Sequence, residues 1–337
     1  MVLEIIWFAL VVILFMGFFF LDGFDYGIGI LLPFIARKEN SRRMVINTIG
    51  GVWDGNEVWL IAAGGAIFAA FPYWYATMFS GFYFALLAIL VALALRGISF
   101  EFRGKSKFRI WRRTFDGTFF LGSLLLALLW GVFVGNLLHG VPINAQMEYT
   151  GNFGTLLNVY SLLCGVLFVF IFAMHGGSYL RMKIPKNHKV MIKLNNHLKF
   201  VHRLGSLIFL GFLIWTCFVT PILSDPVGLP LAAVSFVLFL ASGIYLSKPH
   251  PFNFICTSLS VITIVACVFL HNFPNVLIST TNHAYSLTVF NASASSYSLW
   301  VMLIVAIILV PIIIIYQCLA YWFFRHRVND DPGYLEY

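Results

Sequence analysis

The chain has 337 residues, of which 61% are hydrophobic and only 10% are charged. A soluble domain carries about 25% charged residues, so this composition excludes water as the main solvent of the protein. The net charge of +8 does not indicate nucleic acid as a partner, because the basic residues stand in short segments between apolar runs, as topology determinants do.

Long apolar runs recur along the whole chain, and a helix needs about 20 apolar residues at about 1.5 Å each to cross a membrane. The alternating segments of a transmembrane β-barrel are not seen. The first run lacks a basic segment and a cleavage site, so we interpret it as an uncleaved span. We predict an all-α polytopic membrane protein that forms one transmembrane domain. Its nine spans lie near residues 4–35, 47–71, 76–97, 115–138, 156–180, 204–223, 229–247, 254–271 and 299–324.

All 21 lysine and arginine residues fall on one side of this nine-span arrangement. They occupy the connections at residues 37–43, 96–113, 181–203 and 248, and the C-terminal positions 325 and 327. The opposite side, which includes the long polar segment 272–298, carries neither lysine nor arginine. The positive-inside rule therefore predicts an external N-terminus and a cytoplasmic C-terminus.

The connections after the first, third and seventh spans are short, so each of these spans is expected to pack antiparallel to the next. Eight spans would form two four-helix bundles and the ninth would be peripheral, although no internal repeat requires this. Small residues such as Gly64 and Gly65 favour close helix packing in lipid. Asp116 is expected to cap the start of the fourth span.

Four acidic residues lie within apolar spans, where a charged side chain costs about 3 kcal/mol and is usually functional. Two of them, Asp22 and Asp25, are three residues apart on the first span and share one helix face. The same spacing separates Asp54 and Glu57 on the second span. Counted from the connection near Asn40, Asp25 and Asp54 should lie at the same depth and face each other. Asp22 and Glu57 should likewise share a second depth.

Two carboxyl groups close together at low dielectric do not ionise together easily, so such a pair can take up and release a proton. We predict a proton path that opens to the cytoplasm and uses Asp25, Asp54, Glu57 and Asp22. Neighbouring side chains would orient the acids or intervening water, namely Trp53, Asn56 and Asn47. In the alternative interpretation, the acids cap kinked helices or bond backbone amides in the surrounding glycine-rich stretches.

The histidines offer little support for a haem or metal site in this chain. Among the nine histidines, His175 alone lies well inside a predicted span, and no second histidine matches its depth on a facing span. A hydrogen-bonded packing role is therefore favoured over a haem ligand for His175. The sequence contains neither an H-x-x-x-H zinc motif nor a C-x-x-C-H haem attachment motif, so we predict no catalytic, cofactor-binding or metal-ligating residue here.

Several motifs of the chain resemble subunit II of cytochrome bd-type quinol oxidases. Two carry most of the resemblance, D-G-F-D-Y-G-I-G at 22–29 and W-D-G-N-E-V-W at 53–59. Further matches run in chain order as F-S-G-F-Y at 79–83, R-G-I-S-F-E-F-R at 96–103, G-N-L-L-H-G-V-P-I-N at 135–144, Y-T-G-N-F at 149–153 and N-A-S-A-S-S-Y-S-L at 291–299. The resemblance thus covers the chain from its first span to its last.

The resemblance implies a nine-helix subunit of an oxidase in the bacterial cytoplasmic membrane, surrounded by membrane lipids. It implies pairing with a similarly folded subunit I, which carries two haems b, one haem d and the quinol site, and often with a small single-span subunit. The complex would oxidise quinol and reduce O₂ to water. The choice of quinone, the replacement of haem d by haem b and a quinone or lipid bound to this chain are left open.

For this chain, the resemblance implies that it stabilises subunit I and contributes part of the inward proton path. Asp25 and Asp54 match the acids of the family in the first two helices, whereas Glu57 stands where some members have glutamine. A proton-coupled secondary transporter would share acids at mid-depth and glycine-interrupted helices, and it is the main alternative. A purely structural subunit is a third class, against which the intramembrane acids argue.

Overall fold

The computed structural model describes residues 1–246 and 250–328, and these ranges are mainly helical. The α-helices in chain order are α1 (Val2–Ile35), α2 (Glu39–Gly50), α3 (Trp53–Ala70), α4 (Pro72–Gly81), α5 (Tyr83–Arg103), α6 (Arg109–His139), α7 (Phe153–Leu156), α8 (Val159–Lys183), α9 (Lys189–Val219), α10 (Gly228–Ala241), α11 (Phe252–Asn272) and α12 (Ser296–Phe323). Two 3-10 turns lie at Pro221–Ser224 and His283–Tyr285.

Seven helices of the described ranges are long and apolar enough to cross a membrane, namely α1, α5, α6, α8, α9, α11 and α12. The multi-pass membrane class predicted from composition is therefore supported. Two predicted spans fall outside this set. The second corresponds to α2 and α3, and α3 has 18 residues that include two acids. The seventh corresponds to α10, which is apolar but has only 14 residues.

The second and third predicted spans are each divided in two, and this corrects their prediction as single helices. The helix is interrupted at Gly51 and Val52, between α2 and α3, and again at Phe82, between α4 and α5. Gly51 lies against the ring of Phe324, where a Cβ atom would clash with the ring. The break at Phe82 lies within a continuous apolar run, so the apolar pattern alone did not reveal it.

Two helices begin earlier than predicted, because each extends into a charged segment beyond the apolar run. Helix α9 begins at Lys189 rather than near residue 204, and α6 begins at Arg109 rather than near residue 115. Asp116 therefore lies inside α6, and its expected role as a helix cap is wrong. The predicted end of the seventh span at residue 247, and Lys248, lie outside the described residues.

Helix α1 occupies the centre of the chain and packs against α3, α6, α8 and α11. Its closest approach is to α8, because a Cβ atom at Gly27 would clash with the carbonyl oxygen of Phe172. The expected antiparallel neighbours α1 and α3, α5 and α6, and α10 and α11 all pack together. Helix α12 contacts α1 and α3 and leaves most of its surface exposed.

A small β element at one end of the bundle departs from the predicted all-α class. Strand β1 (Asn275–Leu277) pairs antiparallel with β2 (Leu287–Thr288). The segment after α6 joins this element, since the backbone N–H of Val141 donates to the carbonyl of Ile278 at 2.9 Å. These contacts order the long polar segment that the sequence places outside the spans.

Candidate functional site

A buried arginine lies at the centre of the candidate site. Arg96 of α5 has no exposed surface, and its NH1 atom lies 2.7 Å from Oδ1 of Asp22 on α1. Its NH2 atom lies 3.7 Å from Oδ2 of Asp25. The hydroxyl of Tyr26 donates to the other oxygen of Asp22 at 2.5 Å. One cation thus balances two carboxyl groups that share a helix face, which lowers the cost of burying them.

Aromatic rings enclose the guanidinium group of Arg96 on two sides. Its Cζ atom lies 4.9 Å from the ring centroid of Tyr26 and 5.9 Å from that of Trp53. Trp53 in turn stacks on Phe100, with centroids 4.6 Å apart and an interplanar angle of 5°. Cation–π attraction strengthens when the cation is desolvated, so these rings stabilise the charge while excluding water.

Asn56 connects Asp25 to the last helix. Its Nδ2 atom donates to Oδ2 of Asp25 at 2.9 Å and to the carbonyl of Leu21 at 3.3 Å. Its Oδ1 atom accepts from Nε2 of Gln317 at 3.0 Å and from the hydroxyl of Tyr321 at 2.7 Å. All hydrogen-bonding groups of this amide are engaged, so α1, α3 and α12 meet at one side chain.

The structure brings together only part of the predicted set of acids. Asp22 and Asp25 are fully buried, Glu57 is half-buried within the electrostatic range of Arg96, and Asp54 is exposed on α3. The expected facing pair of Asp25 and Asp54 is therefore not formed. Because α3 starts afresh after the break before Trp53, Asn56 takes the place opposite Asp25.

Asn47 lies apart from this cluster, on α2, and its Nδ2 atom donates to the carbonyl of Arg43 at 2.9 Å. It lines a cavity of about 160 Å³ next to the break that precedes α3. Lys183 and His326 also line this cavity, so its wall is partly polar. The residue predicted to support the acids thus stands on the cytoplasmic side expected from the charge distribution, not beside the carboxylates.

Three polar atoms of the cluster retain unused hydrogen-bonding capacity. Oδ1 of Asp25 and the Nε and NH2 atoms of Arg96 are buried and make no hydrogen bond to the described protein groups. Buried polar atoms are normally satisfied, and this one cluster holds three of the eleven buried side-chain atoms without a partner in the described part of the chain. By contrast, both oxygens of Asp22 are engaged, one by Arg96 and one by Tyr26.

Arg96 is the residue of the candidate site that sequence reasoning missed. It was assigned to a basic connection, yet it lies seven residues before Arg103, which is about 10 Å deeper along α5. The assignment to a connection is wrong, because Arg96 is a buried partner of acids and not a topology determinant. The signal was present, because an arginine so far inside an apolar helix needs an anionic partner, and Asp22 and Asp25 were the available ones.

His175 fulfils the packing role favoured by the sequence. Its Nδ1 atom is 2.9 Å from Oγ1 of Thr257, its Nε2 atom is 2.9 Å from the carbonyl of Phe20, and its ring stacks on Phe254 at 5.0 Å. Both ring nitrogens are therefore occupied, and this histidine does not fit as a haem ligand. Within residues 1–246 and 250–328, no group of three or more His, Cys, Asp or Glu side chains could hold a metal ion.

A second network of ion pairs lies at the end of the bundle that carries the basic connections. Arg103 contacts Asp116 through Nε at 2.7 Å and Glu39 through NH2 at 3.0 Å. Arg42 contacts Asp116 at 2.6 Å, and Arg112 contacts Glu39 at 3.0 Å. Asp116 therefore ties α2 and α5 to α6 instead of capping a helix.

These features define a multi-pass α-helical membrane protein with a buried, partly unsatisfied ion cluster in its apolar core. The profile of the family described as "Cytochrome bd terminal oxidase subunit II" matches residues 3–324. The chain belongs to this family, which makes it a subunit of a haem-containing quinol oxidase complex. This membership does not favour the transporter alternative.

Individual relatives agree with the family assignment over nearly the full length. The chain is 38% identical over 333 residues to "Cytochrome bd ubiquinol oxidase subunit 2" of Bacillus subtilis (strain 168), covering 97% of each chain. It is 34% identical over 366 residues to "Cytochrome bd-I ubiquinol oxidase subunit 2" of Escherichia coli (strain K12), covering 98% of this chain and 96% of the relative.

A solved structure shares the fold. A chain of the bd oxidase from Geobacillus thermodenitrificans superposes with a TM-score of 0.72 at 15% identity, covering 96% of this chain and 99% of that chain. At this identity the likeness concerns the fold alone.

Proposed function

We propose that this chain is the subunit without haem in an oxidase that couples quinol oxidation to the reduction of O₂ to water. The observation that carries the proposal is the buried cluster of Arg96, Asp22 and Asp25, which gives a proton-accepting group to an otherwise apolar core. The curated relatives are named as ubiquinol oxidase subunits, which supports quinol as the substrate of the assembled complex.

The redox centres belong, in this proposal, to a haem-bearing subunit I. Two haems b and one haem d would lie there together with the quinol site, and this chain would be active only in the complex. His175 supports this division, because both of its ring nitrogens are engaged within the chain. A small single-span subunit and bound membrane lipid would complete the assembly.

The role we assign to the acids is inward proton delivery. Reduction of O₂ consumes one proton for every electron, and hydrocarbon supplies none, so a deep oxidase site needs a polar route. Both carboxyl oxygens of Asp22 already accept hydrogen bonds. Oδ1 of Asp25 has no hydrogen-bond partner in the protein, and it is the atom that we assign to accept the proton. Asn56 holds the other oxygen of Asp25 and so fixes the direction in which the accepting atom points.

The cytoplasmic entry would be the partly polar cavity beside the break between α2 and α3, which Asn47 lines. Asp54 and Glu57 follow in the first turns of α3, one exposed and one half-buried. The proposed route therefore leads from the cavity along α3 to the buried carboxyl group of Asp25.

The outer face of α3 is the surface we assign to subunit I. Five exposed residues repeat along it at helical spacing, namely Asp54, Val58, Ile61, Gly65 and Phe68. An uncovered carboxylate among apolar side chains costs about 3 kcal/mol in lipid, so a protein partner is the better neighbour for this face. Small residues there allow close helix packing, which supports a role in stabilising subunit I.

The proposed topology keeps nine spans with the N-terminus outside and the C-terminus in the cytoplasm of a bacterium. The pairs α2–α3 and α4–α5 each count as one broken span, and α10 counts as a short one. One bundle would comprise α1 with the first broken span, the second broken span and α6, and the other would comprise α8 to α11. The peripheral ninth span would be α12, in keeping with its exposed surface.

Conservative replacement of the acids tests the proton route. Asp25→Asn and Asp54→Asn should each slow quinol-driven O₂ consumption by about tenfold or more. The visible spectrum should show that the haem content of the complex is unchanged. The double variant should be little slower than the worse single one if both act in one route. Glu101→Gln, which changes an exposed acid at the end of α5, is the matched control.

Unchanged turnover in both single variants would remove the two acids from the route. Loss of haem with loss of turnover would instead assign them to assembly. A complex that copurifies without any haem protein and shows no visible absorption would contradict the oxidase assignment itself.

A further inference from the structure

A cavity of about 320 Å³ lies between the connection that follows α1 and the start of α6. Its lining is almost wholly basic, with one acid, and consists of Arg37, Glu39, Arg42, Lys107, Arg109, Arg112 and Arg113. No residue of the family motifs and no residue of the proposed proton route lines this cavity. It lies on the side of the membrane that the charge distribution assigns to the cytoplasm.

The acids near this cavity do not balance its cations. Glu39 is shared between Arg103 and Arg112, and Asp116 is shared between Arg42 and Arg103. The remaining four cations of the lining form no ion pair with an acid in the part of the chain that the structure describes, namely Arg37, Lys107, Arg109 and Arg113. A small volume therefore holds several positive charges that repel one another until an anion enters.

The backbone adds to this positive potential. Helix α6 has 31 residues, and its N-cap residue Phe108 provides no side-chain hydrogen bond to the first turn. The first backbone N–H groups of α6 and the positive end of its dipole are thus directed to the same end as Arg109 and Lys107. Helix N-termini of this kind bind phosphate groups readily.

The same turn presents large apolar side chains to the surroundings. Phe108 and Ile110 are each 80% exposed, and Trp111 is exposed as well. These three residues alternate with the cavity-lining Arg109 and Arg112, so cations and apolar groups stand side by side on one short segment. A free phosphate ion would use only the cations, whereas a phospholipid would use both.

We propose that this cavity binds the headgroup of an anionic phospholipid, with the phosphate between the start of α6 and the α1–α2 connection. The acyl chains then lie against Phe108, Ile110 and Trp111. Basic pockets between transmembrane helices on the cytoplasmic side are suited to such headgroups. The bound lipid would offset the unpaired cations of Lys107, Arg109 and the neighbouring lining residues.

The test uses the intact oxidase complex, delipidated in a neutral detergent and mixed with phosphatidylglycerol, phosphatidylcholine or inorganic phosphate. Native mass spectrometry counts the lipid retained at each concentration. The triple variant Lys107→Gln, Arg109→Gln, Arg113→Gln should lose affinity for phosphatidylglycerol by about tenfold or more, because each basic residue near an anionic lipid contributes roughly fivefold. Wild-type affinity for phosphatidylcholine should already be low.

A matched control removes the same charge from the same side of the membrane. The triple variant Lys186→Gln, Lys199→Gln, Arg203→Gln changes three basic residues that do not line this cavity and should retain phosphatidylglycerol as the wild type does. The visible spectrum and gel-filtration profile check the assembly of each variant. If the first triple variant does not assemble, Arg109→Gln alone should still show a loss of about fivefold.

Three results would overturn the proposal. Equal retention of phosphatidylglycerol and phosphatidylcholine by the wild type would mean that charge is not recognised. Equal loss in the two triple variants would mean that net charge, not this cavity, attracts the lipid. Binding of inorganic phosphate that fully displaces phosphatidylglycerol would mean a free-phosphate site.

Discussion

Arg96 and Asp22 form an ion pair of 2.7 Å in which neither side chain has any exposed surface. Removing two charges from water is costly, and their attraction repays this cost only with good geometry and further hydrogen bonds. Here Tyr26 supplies such a bond to Asp22, and the ring of Tyr26 also faces the guanidinium group. The pair therefore fixes α5 against α1 and sets the charge around Asp25.

Removal of one partner of this pair should be more damaging than removal of both. Arg96→Gln leaves the Asp22 carboxylate buried without its cation, which should lower the free energy of unfolding by about 3–5 kcal/mol. Arg96→Gln combined with Asp22→Asn should recover part of this loss, because no uncompensated charge remains. Thermal unfolding of the purified complex measures the cycle, and strictly additive losses would show that the two residues are not coupled.

The amide of Asn56 should be the strongest single connection between α12 and the rest of the chain. Asn56→Ala removes bonds to Asp25, Leu21, Gln317 and Tyr321, and should cost about 2–4 kcal/mol. Tyr321→Phe removes only one of these bonds and should cost about 1 kcal/mol.

The exposed Tyr316 of α12 provides the matched control for the hydroxyl deletion, because Tyr316→Phe should leave thermal stability unchanged. Equal losses for Tyr321→Phe and Tyr316→Phe in thermal unfolding would contradict a specific contact at Asn56.

Glycine substitutions separate packing inside the chain from packing against the proposed partner. Gly27→Ala should prevent the close approach of α1 and α8, since its methyl group would meet the backbone at Phe172, and the complex should not accumulate. An added Cβ atom at Gly65 meets nothing within 4 Å in this chain. Gly65→Ala should therefore leave the fold intact but lower the yield of complex if subunit I packs on α3.

Gly211 on α9 is the control for this comparison, because a Cβ atom there also meets nothing within 4 Å. Copurification of subunit I, measured per amount of this chain, should fall for Gly65→Ala and not for Gly211→Ala. Equal recovery in both variants would mean that the partner does not pack closely at Gly65.

The sequence predicted those parts of the molecule that depend on local composition. The first span was expected at 4–35 and α1 runs from Val2 to Ile35, because one long and strongly apolar segment determines it despite Asp22 and Asp25. The shared face of Asp22 and Asp25 followed from helical spacing alone, and the structure confirms that both are buried on α1.

The relations between helices were less accessible from the sequence. Matching Asp25 with Asp54 assumed a continuous second span, and the helix break at Gly51 and Val52 was enough to place Asn56 there instead. Charge counting also grouped Arg96 with the surface cations, since a basic residue near a span end fits either role. The depth of Arg96 in its apolar helix indicated an anionic partner, but tertiary packing was needed to identify Asp22 as that partner.

Asp225, which directly follows the 3-10 turn Pro221–Ser224, is an acid whose titration should affect stability. Oδ2 of Asp225 lies 2.5 Å from Nδ1 of His271, and Oδ1 accepts from the backbone N–H of Val227 at 2.8 Å. Partial burial raises the pKa of Asp225, but the hydrogen bonds from His271, Val227 and Gly228 outweigh it and leave the pKa below its ordinary value. A lowered pKa means that folding favours the carboxylate.

The contribution of Asp225 should therefore be complete above its ordinary pKa and disappear as the pH falls through the lowered value of the folded protein. Asp225→Asn should reduce the free energy of unfolding by about 1–2 kcal/mol at neutral pH, and the difference from wild type should shrink steadily below about pH 4. Thermal unfolding from neutral pH to about pH 3 checks this, with Glu148→Gln as an exposed control acid in another connection. A constant difference between Asp225→Asn and wild type over this range would show that the pair with His271 stabilises the fold through packing and not through charge.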